Sequence, residues 1–327
     1  MSIKRVAVTG ASGQIAYNLL FRIISGDLLG INQPIALHLL EIPEMVNSLR
    51  GLVLELEDCS CPLLKEIHYG SDPVKGFEEA DYAILIGSKP RGPGMERKEL
   101  LAENGKIFLE QGKALNQVAK SDVIVFVVGN PCNTNSLIAL SHAIRLNPKR
   151  FHAMTRLDQN RAVFQLAHKA GVPVSDVKRM TIWGNHSSTQ VPDFVNARIH
   201  GKPVMDVIHD KKWLEEEFIN TIQKRGAAVI AARGKSSAGS ASQAILDGMR
   251  SIIFPTPPDE WFSSAILSDG NPYGIEAGLV FSFPCRSHGN GHVDIVPGLE
   301  WNHFLKKKID LTCNELLEEK QMVGHLL

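Results

Sequence analysis

No excess of either charge marks this chain of 327 residues: 35 Lys and Arg balance 35 Asp and Glu, for a formal net charge of +0. Binding to a polyanion usually leaves a basic excess, so no nucleic-acid partner is expected. The sequence also lacks any apolar run near the roughly 18–20 residues that a bilayer span requires, and no membrane segment is expected. Its first residues, Met1-Ser2-Ile3-Lys4-Arg5, lead straight into a strand-like run. They carry none of the basic start, apolar core and small-residue cleavage site of a signal peptide. Cysteine is sparse and odd in number: Cys59, Cys61, Cys132, Cys285 and Cys313. Only Cys59 and Cys61 are close, and Cys-x-Cys by itself lacks the second ligand pair of a structural zinc site. Reduced thiols in a cytoplasmic compartment, with no metal, are expected.

What is present is ordinary globular material, 44% hydrophobic and 21% charged. The length suits about two domains. The runs Lys306-Lys307-Lys308 and Glu215-Glu216-Glu217 are short and fit solvated helix faces. In the first half, short Val- and Ile-rich runs at 3–8, 35–40, 82–86 and 123–128 alternate with helical patterns at 15–24, 44–57, 99–119 and 134–145. Continuously apolar strands alternating with helices predict an α/β fold, a doubly wound parallel sheet of the Rossmann type. The pattern changes near residue 150. Helical segments at 155–170, 214–232, 241–253 and 301–317 are then mixed with strand-like runs at 180–183, 277–284 and 292–296. The expected division is 1–152, a dinucleotide-binding domain, and 153–327, an α+β catalytic domain.

Directly after the first strand stands Gly10-Ala11-Ser12-Gly13-Gln14-Ile15-Ala16, leading into a helix. A tight glycine turn there turns backbone N–H groups and a helix N-terminus toward a pyrophosphate. Position after the first strand strengthens this reading; a plain tight turn is the competing one. The second strand ends at Leu39-Leu40-Glu41. A carboxylate at that point accepts hydrogen bonds from ribose hydroxyls and repels a 2′-phosphate, which favours NAD over NADP. The loop at 26–34 accounts for the long separation between the glycines and Glu41.

Two further segments carry reactive groups. Thr155-Arg156-Leu157-Asp158-Gln159-Asn160-Arg161 sets Asp158 and Arg161 three apart on one helical face. Trp183-Gly184-Asn185-His186-Ser187-Ser188 puts a histidine in a glycine-bearing loop. A histidine oriented by a buried carboxylate exchanges a proton with an alcohol near neutral pH, and an arginine beside it grips a carboxylate. Spacing alone leaves open an ordinary intrahelical ion pair and an ordinary loop histidine. Lys89-Pro90-Arg91-Gly92-Pro93-Gly94-Met95-Glu96-Arg97 follows the third strand-like run and has the composition of a hinged lid, or of a simple surface loop.

Taken together with Gly129-Asn130-Pro131, these segments resemble the malate dehydrogenases of the lactate/malate dehydrogenase superfamily, over essentially the whole chain. The likeness is to the branch that holds cytosolic and chloroplast-type enzymes with their bacterial relatives. It implies that His186 is the acid/base and that Asp158 orients it and stabilises the imidazolium. It also implies that Arg161 clamps the C1 carboxylate, Arg97 polarises the reacting carbonyl, and Arg91 takes the distal carboxylate that separates malate from lactate. Asn130 matches a residue at the nicotinamide and substrate. Gly10, Gly13, Gln14, Ile15, Ala16, Glu41, Asn104, Gln111, Val128 and Asn130 are the implied cofactor contacts. The implied reaction is reversible hydride transfer between (S)-malate and NAD, in a homodimer.

Segments 89–97 and 129–134 look closest to chloroplast NADP enzymes, which carry no acid at the place of Glu41 and bear regulatory cysteine extensions. NAD preference and no thiol switch are therefore expected here. Cytosolic-type relatives usually carry Asp where this chain has Glu41, and the longer side chain puts the strictness of that preference in question. A short-chain reductase needs Tyr-x-x-x-Lys, and none of Tyr17, Tyr69, Tyr82 or Tyr273 has Lys four residues on. His288 and His292 are separated by two glycines and do not suggest a metal hydrolase. A nucleotide sensor that has lost catalysis is disfavoured by the intact set His186, Asp158, Arg161, Arg91 and Arg97.

Overall fold

Alternate residues of the apolar runs feed two cores. The computed structural model describes residues 1–89 and 97–327, the side chain of Arg97 excepted. Its first half contributes β1 (Lys4–Thr9), β2 (Ile35–Leu40), β3 (Leu64–Gly70), β4 (Tyr82–Leu85), β5 (Ile124–Val127) and β6 (Phe151–Ala153). All six run parallel, in the spatial order β3-β2-β1-β4-β5-β6. Along β1, Val6 and Val8 enter one core while Ala7 enters the other; Ile124 and Phe126 part from Val125 and Val127 in the same way on β5. Strand geometry points neighbours to opposite faces, so continuous apolarity is what a sheet covered on both sides demands.

Helices α1 (Gln14–Ile24) and α2 (Val46–Asp58) supply the first core. The other face is covered by α3 (Pro73–Phe77), α4 (Arg97–Val118) and α5 (Cys132–His142). The order reverses between β1 and β4, and the crevice at such a switch point is where doubly wound sheets bind ligands. Here the crevice is glycine against glycine. Gly10 has φ +64°, and a Cβ on it would lie 2.6 Å from the Cα of Gly87. No side chain fits where those two turns cross.

The second half begins with α6 (Arg156–Ala170), followed by β7 (Val177–Lys178), β8 (Thr181–Trp183), β9 (Val191–Asp193), β10 (Arg198–Ile199) and β11 (Lys202–Pro203). Then come α7 (Val204–Val207), α8 (Ile219–Arg233), α9 (Gly239–Ile253), β12 (Phe262–Leu267), β13 (Val280–Ser287), β14 (Val293–Ile295) and α10 (His303–Met322). β12 pairs antiparallel with β6, so β12, β13 and β14 extend the main sheet to nine strands. The expected boundary at 152/153 thus falls inside strand β6, and the sheet runs through it.

Three differences from the sequence reading have physical causes. β3 reads Leu-Lys-Glu-Ile-His-Tyr-Gly and lies at the sheet edge with half its side chains in water, so it carries no apolar run. β12 is interrupted by Ser263 and Ser264, which are buried because their hydroxyls bond the Ile182 N–H at 2.9 Å and the His152 ring at 3.0 Å. The segment expected as a helix over 214–232 is wound in wide π turns at Trp213–Phe218 before α8 begins. No helix among the described residues is long and apolar enough to cross a membrane.

Candidate active site

α6 starts at Arg156, so Asp158 sits in its first turn and Arg161 one turn later on the same face. Asp158 is fully buried. One of its oxygens lies 3.4 Å from Arg161 Nη1, and the other accepts a hydrogen bond from His186 Nδ1. A carboxylate only accepts, so Nδ1 carries the proton in this pair and Nε2 is left as the basic nitrogen. Burial draws the Arg161 guanidinium below its ordinary pKa, against the opposing pull of the Asp158 charge. The two motifs that sequence spacing could not connect are therefore one constellation. Its supporting atoms come from a helix and a loop 28 residues apart.

The histidine loop is held by residues to which the sequence reading gave no role. Asn133, at the start of α5 and fully buried, accepts the His186 N–H at 3.0 Å. Its amide nitrogen donates to the carbonyls of Gly184 at 3.3 Å and Val280 at 2.9 Å. From α10, Thr312 Oγ1 accepts the Asn185 N–H at 2.9 Å. Glu315 accepts from Asn185 Nδ2 at 2.9 Å, from Thr189 Oγ1 at 2.6 Å and from the Ser187 hydroxyl. Glu319, 1% exposed, accepts from Asn185 Nδ2 at 2.9 Å and from Thr134 Oγ1. α10 runs to Met322, five residues past the expected end at 317, and so includes Glu319. Nothing in a run of Glu, Glu and Lys separates a buried carboxylate from a solvated one. The Cys132 thiol, also buried here, is pushed up in pKa by burial, which makes it a packing group rather than a nucleophile.

Replacing Asn133 by Ala removes a partner from the His186 N–H and from the Gly184 and Val280 carbonyls, each bond contributing about 0.5–1.5 kcal/mol. A loss of about 3 kcal/mol in unfolding free energy is the expected result. It would appear as a lower urea midpoint at unchanged slope. kcat is expected to fall with it because the His186 backbone is released.

On the cofactor side, Gly13 caps α1 without a side-chain hydrogen bond, so the first-turn N–H groups face outward. The cradle fits a dinucleotide: a glycine turn with no room for a Cβ, an open helix N-terminus, and a carboxylate, Glu41, at the end of β2. An open cleft of about 640 Å³ is lined by Ser12 and Gln14 together with Arg233, Ser237 and Ser240. Ser237 Oγ accepts from Arg161 Nη2 at 3.3 Å, so this cleft joins the glycine loop to the Asp158 constellation.

The remaining residues named from the sequence lie on several elements of the first half. Ile15 is half-buried and Ala16 fully buried in α1. Val128 is buried past the end of β5 and Asn130 is exposed two residues on. Asn104 is fully buried; its Oδ1 accepts the Lys89 N–H at 2.7 Å, and its Nδ2 donates to the carbonyls of Lys89 at 3.1 Å and Asn130 at 3.3 Å. It thus ties together two loop bases. Gln111 lies two turns further along α4, with its Oε1 buried and unpartnered among the described residues. Arg91 and the side chain of Arg97 lie outside the described residues. No cluster of metal-ligating side chains occurs among the described residues.

Family models match nearly all of the chain. The lactate/malate dehydrogenase NAD-binding domain matches residues 4–152, and the lactate/malate dehydrogenase alpha/beta C-terminal domain matches 155–326. The chain is 60% identical to a malate dehydrogenase from Protochlamydia amoebophila over 323 residues, covering 99% of this chain and 98% of that one. It is 54% identical to a chloroplastic malate dehydrogenase [NADP] from Flaveria bidentis, covering 99% of this chain and 72% of that one. The crystal structure of a malate dehydrogenase from Naegleria fowleri superposes with a TM-score of 0.97 at 46% identity, covering 100% of this chain and 99% of that one. Fold, constellation and likeness agree: the chain belongs to the lactate/malate dehydrogenase family.

Proposed function

We propose that this protein is an NAD-dependent malate dehydrogenase that interconverts (S)-malate and oxaloacetate. The carrying observation is the buried Asp158 carboxylate, which holds His186 on one oxygen and faces Arg161 on the other. A proton-transfer group and a carboxylate clamp thereby share one support. Bound nicotinamide supplies the hydride acceptor for malate oxidation and the hydride donor for the reverse reaction. His186 Nε2 takes the proton of the substrate hydroxyl, and Asp158 balances the imidazolium that forms. In reduction the protonated ring returns that proton to the carbonyl oxygen. Arg161 pairs with the C1 carboxylate through its planar fork.

Arg97 as the group polarising the carbonyl, Arg91 as the partner of the distal carboxylate, and Asn130 beside substrate and nicotinamide complete the proposal by family resemblance. Gly10, Gly13, Gln14, Ile15, Ala16, Glu41, Asn104, Gln111 and Val128 form the proposed cofactor wall. The name of the 60% identical relative supports malate over lactate. Glu41 supports NAD over NADP, against the NADP named for the chloroplast relatives. A cytoplasmic homodimer, with residues 1–152 binding cofactor and 153–327 carrying catalysis, belongs to the same proposal.

The test is oxidation of NADH by oxaloacetate and by pyruvate, each repeated with NADPH. Turnover with oxaloacetate and NADH alone is the expected result. Equal rates with NADPH would remove Glu41 from cofactor choice and leave the reaction standing, whereas pyruvate turning over as well as oxaloacetate would overturn the substrate. Replacing Arg91 by Gln is expected to lower kcat/KM for oxaloacetate about 100-fold, the scale of an unpaired carboxylate, while pyruvate changes little. Equal losses would take Arg91 out of substrate choice.

A further inference from the structure

Glu41 does not stand free at the end of β2. Its Oε1 accepts the Ser12 backbone N–H at 3.1 Å and the Ser12 hydroxyl at 2.8 Å. Its Oε2 accepts the Ile42 N–H at 3.0 Å. Two of the three donors come from one residue of the glycine loop, 29 positions away in sequence. A glutamate carries one more rotatable bond than an aspartate, and an untethered one would turn aside at little cost when a second anion approached. These bonds remove that freedom.

The donor count has a further consequence. A carboxylate has about four acceptor sites. With three filled by protein donors, one remains, on Oε2. The Ser12 hydroxyl has its proton committed to Glu41 and keeps its lone pairs. Ser12 also lines the cleft beside the glycine turn. The pair thus presents two acceptors and a fixed negative charge to whatever occupies the cleft there. A ribose diol has two protons to give. A 2′-phosphorylated ribose keeps only its 3′-hydroxyl to give and adds about −1.5 to −2 of charge.

We infer that Ser12 is a positioning residue for cofactor choice: it locks Glu41 against the glycine loop, so that the pair accepts an unmodified ribose and rejects a 2′-phosphorylated one. This rests on the proposed preference for NAD and assigns part of that preference to a residue of the glycine loop itself. The Ser12–Glu41 bonds also answer the question raised by glutamate in place of aspartate, since the extra length is taken up in reaching Ser12.

The experiment compares wild type, Ser12→Ala and Ser12→Thr in oxaloacetate reduction with NADH and with NADPH. The readout is the ratio of kcat/KM for the two cofactors, which does not depend on the fraction of folded enzyme. Ser12→Ala keeps the backbone donor and loses the hydroxyl. It is expected to lower the NADH-over-NADPH ratio about tenfold, the scale of one charge-assisted hydrogen bond. The change should lie in KM, with kcat held within about twofold, because chemistry is remote from the ribose. Ser12→Thr restores the hydroxyl and should restore most of the ratio. Fluorescence titration with NADH and NADPH should show the same shift in Kd. A wild type that prefers NADH, with a Ser12→Ala variant of unchanged ratio, overturns the Ser12 assignment alone. A wild type that uses both cofactors equally overturns the Glu41 reading and this inference with it.

Discussion

Replacing His186 by Asn is expected to lower kcat in both directions about 10³–10⁴-fold, the upper range of what a positioned acid/base contributes. Binding of NADH should change by less than about threefold, a fraction of a kcal/mol. The separation follows from how the loop is held. Asn133 grips the backbone of residue 186, and α10 grips Asn185, Ser187 and Thr189, so the loop does not depend on the imidazole. An asparagine amide at position 186 also has an N–H to offer the Asp158 carboxylate, which spares the buried charge. What it lacks is a ring nitrogen that can take up the substrate's proton and give it back. Single-turnover rates and a fluorescence titration on the same preparation read the two quantities. Loss of NADH binding together with turnover would make His186 a structural residue of the cleft wall.

Much of the first half is legible in the sequence because its physics is local. A strand is apolar where the sheet is covered on both faces: β5 throughout, β2 apart from His38, and β1 over Val6, Ala7 and Val8. The glycine loop is legible because Gly10 and Gly87 cross without room for a Cβ, a constraint that admits one residue type. β3 and β12 are illegible for opposite reasons. One spends its polar residues on water at an edge, and the other hides two serines whose partners, Ile182 and His152, are fixed only by the tertiary fold. The reactive residues follow the same division. Asp158 and Arg161 share a helical face by spacing, but their meeting with His186 depends on β8 and α6 packing together, which no local pattern encodes. Asn133, Glu315 and Glu319 are invisible until α5 and α10 are placed, since a buried polar group differs from an exposed one only in its neighbours. Family resemblance joins the motifs that carry chemistry and passes over the supports.

Asp158→Asn is expected to be nearly as damaging as loss of the histidine, about 10³-fold in kcat/KM, although it changes one oxygen to an amide nitrogen. The aspartate serves two donors at once: His186 Nδ1 on one oxygen and Arg161 Nη1 on the other at 3.4 Å. An amide has one acceptor atom. If its oxygen faces the imidazole, its NH₂ points at a guanidinium that can only donate, and Arg161 is left half-buried without its counter-charge. If its NH₂ faces the imidazole, Nδ1 must accept, and the proton moves to Nε2, where the malate hydroxyl needs a base. Both orientations fail, the first in substrate clamping and the second in proton transfer, and they fail differently in kinetics. A displaced Arg161 raises KM for malate and oxaloacetate alike. A reversed tautomer leaves KM near its wild-type value and lowers kcat. Steady-state analysis in both directions therefore reports which way the amide settles. A variant that keeps wild-type kcat and KM would mean that neither His186 nor Arg161 works through this carboxylate.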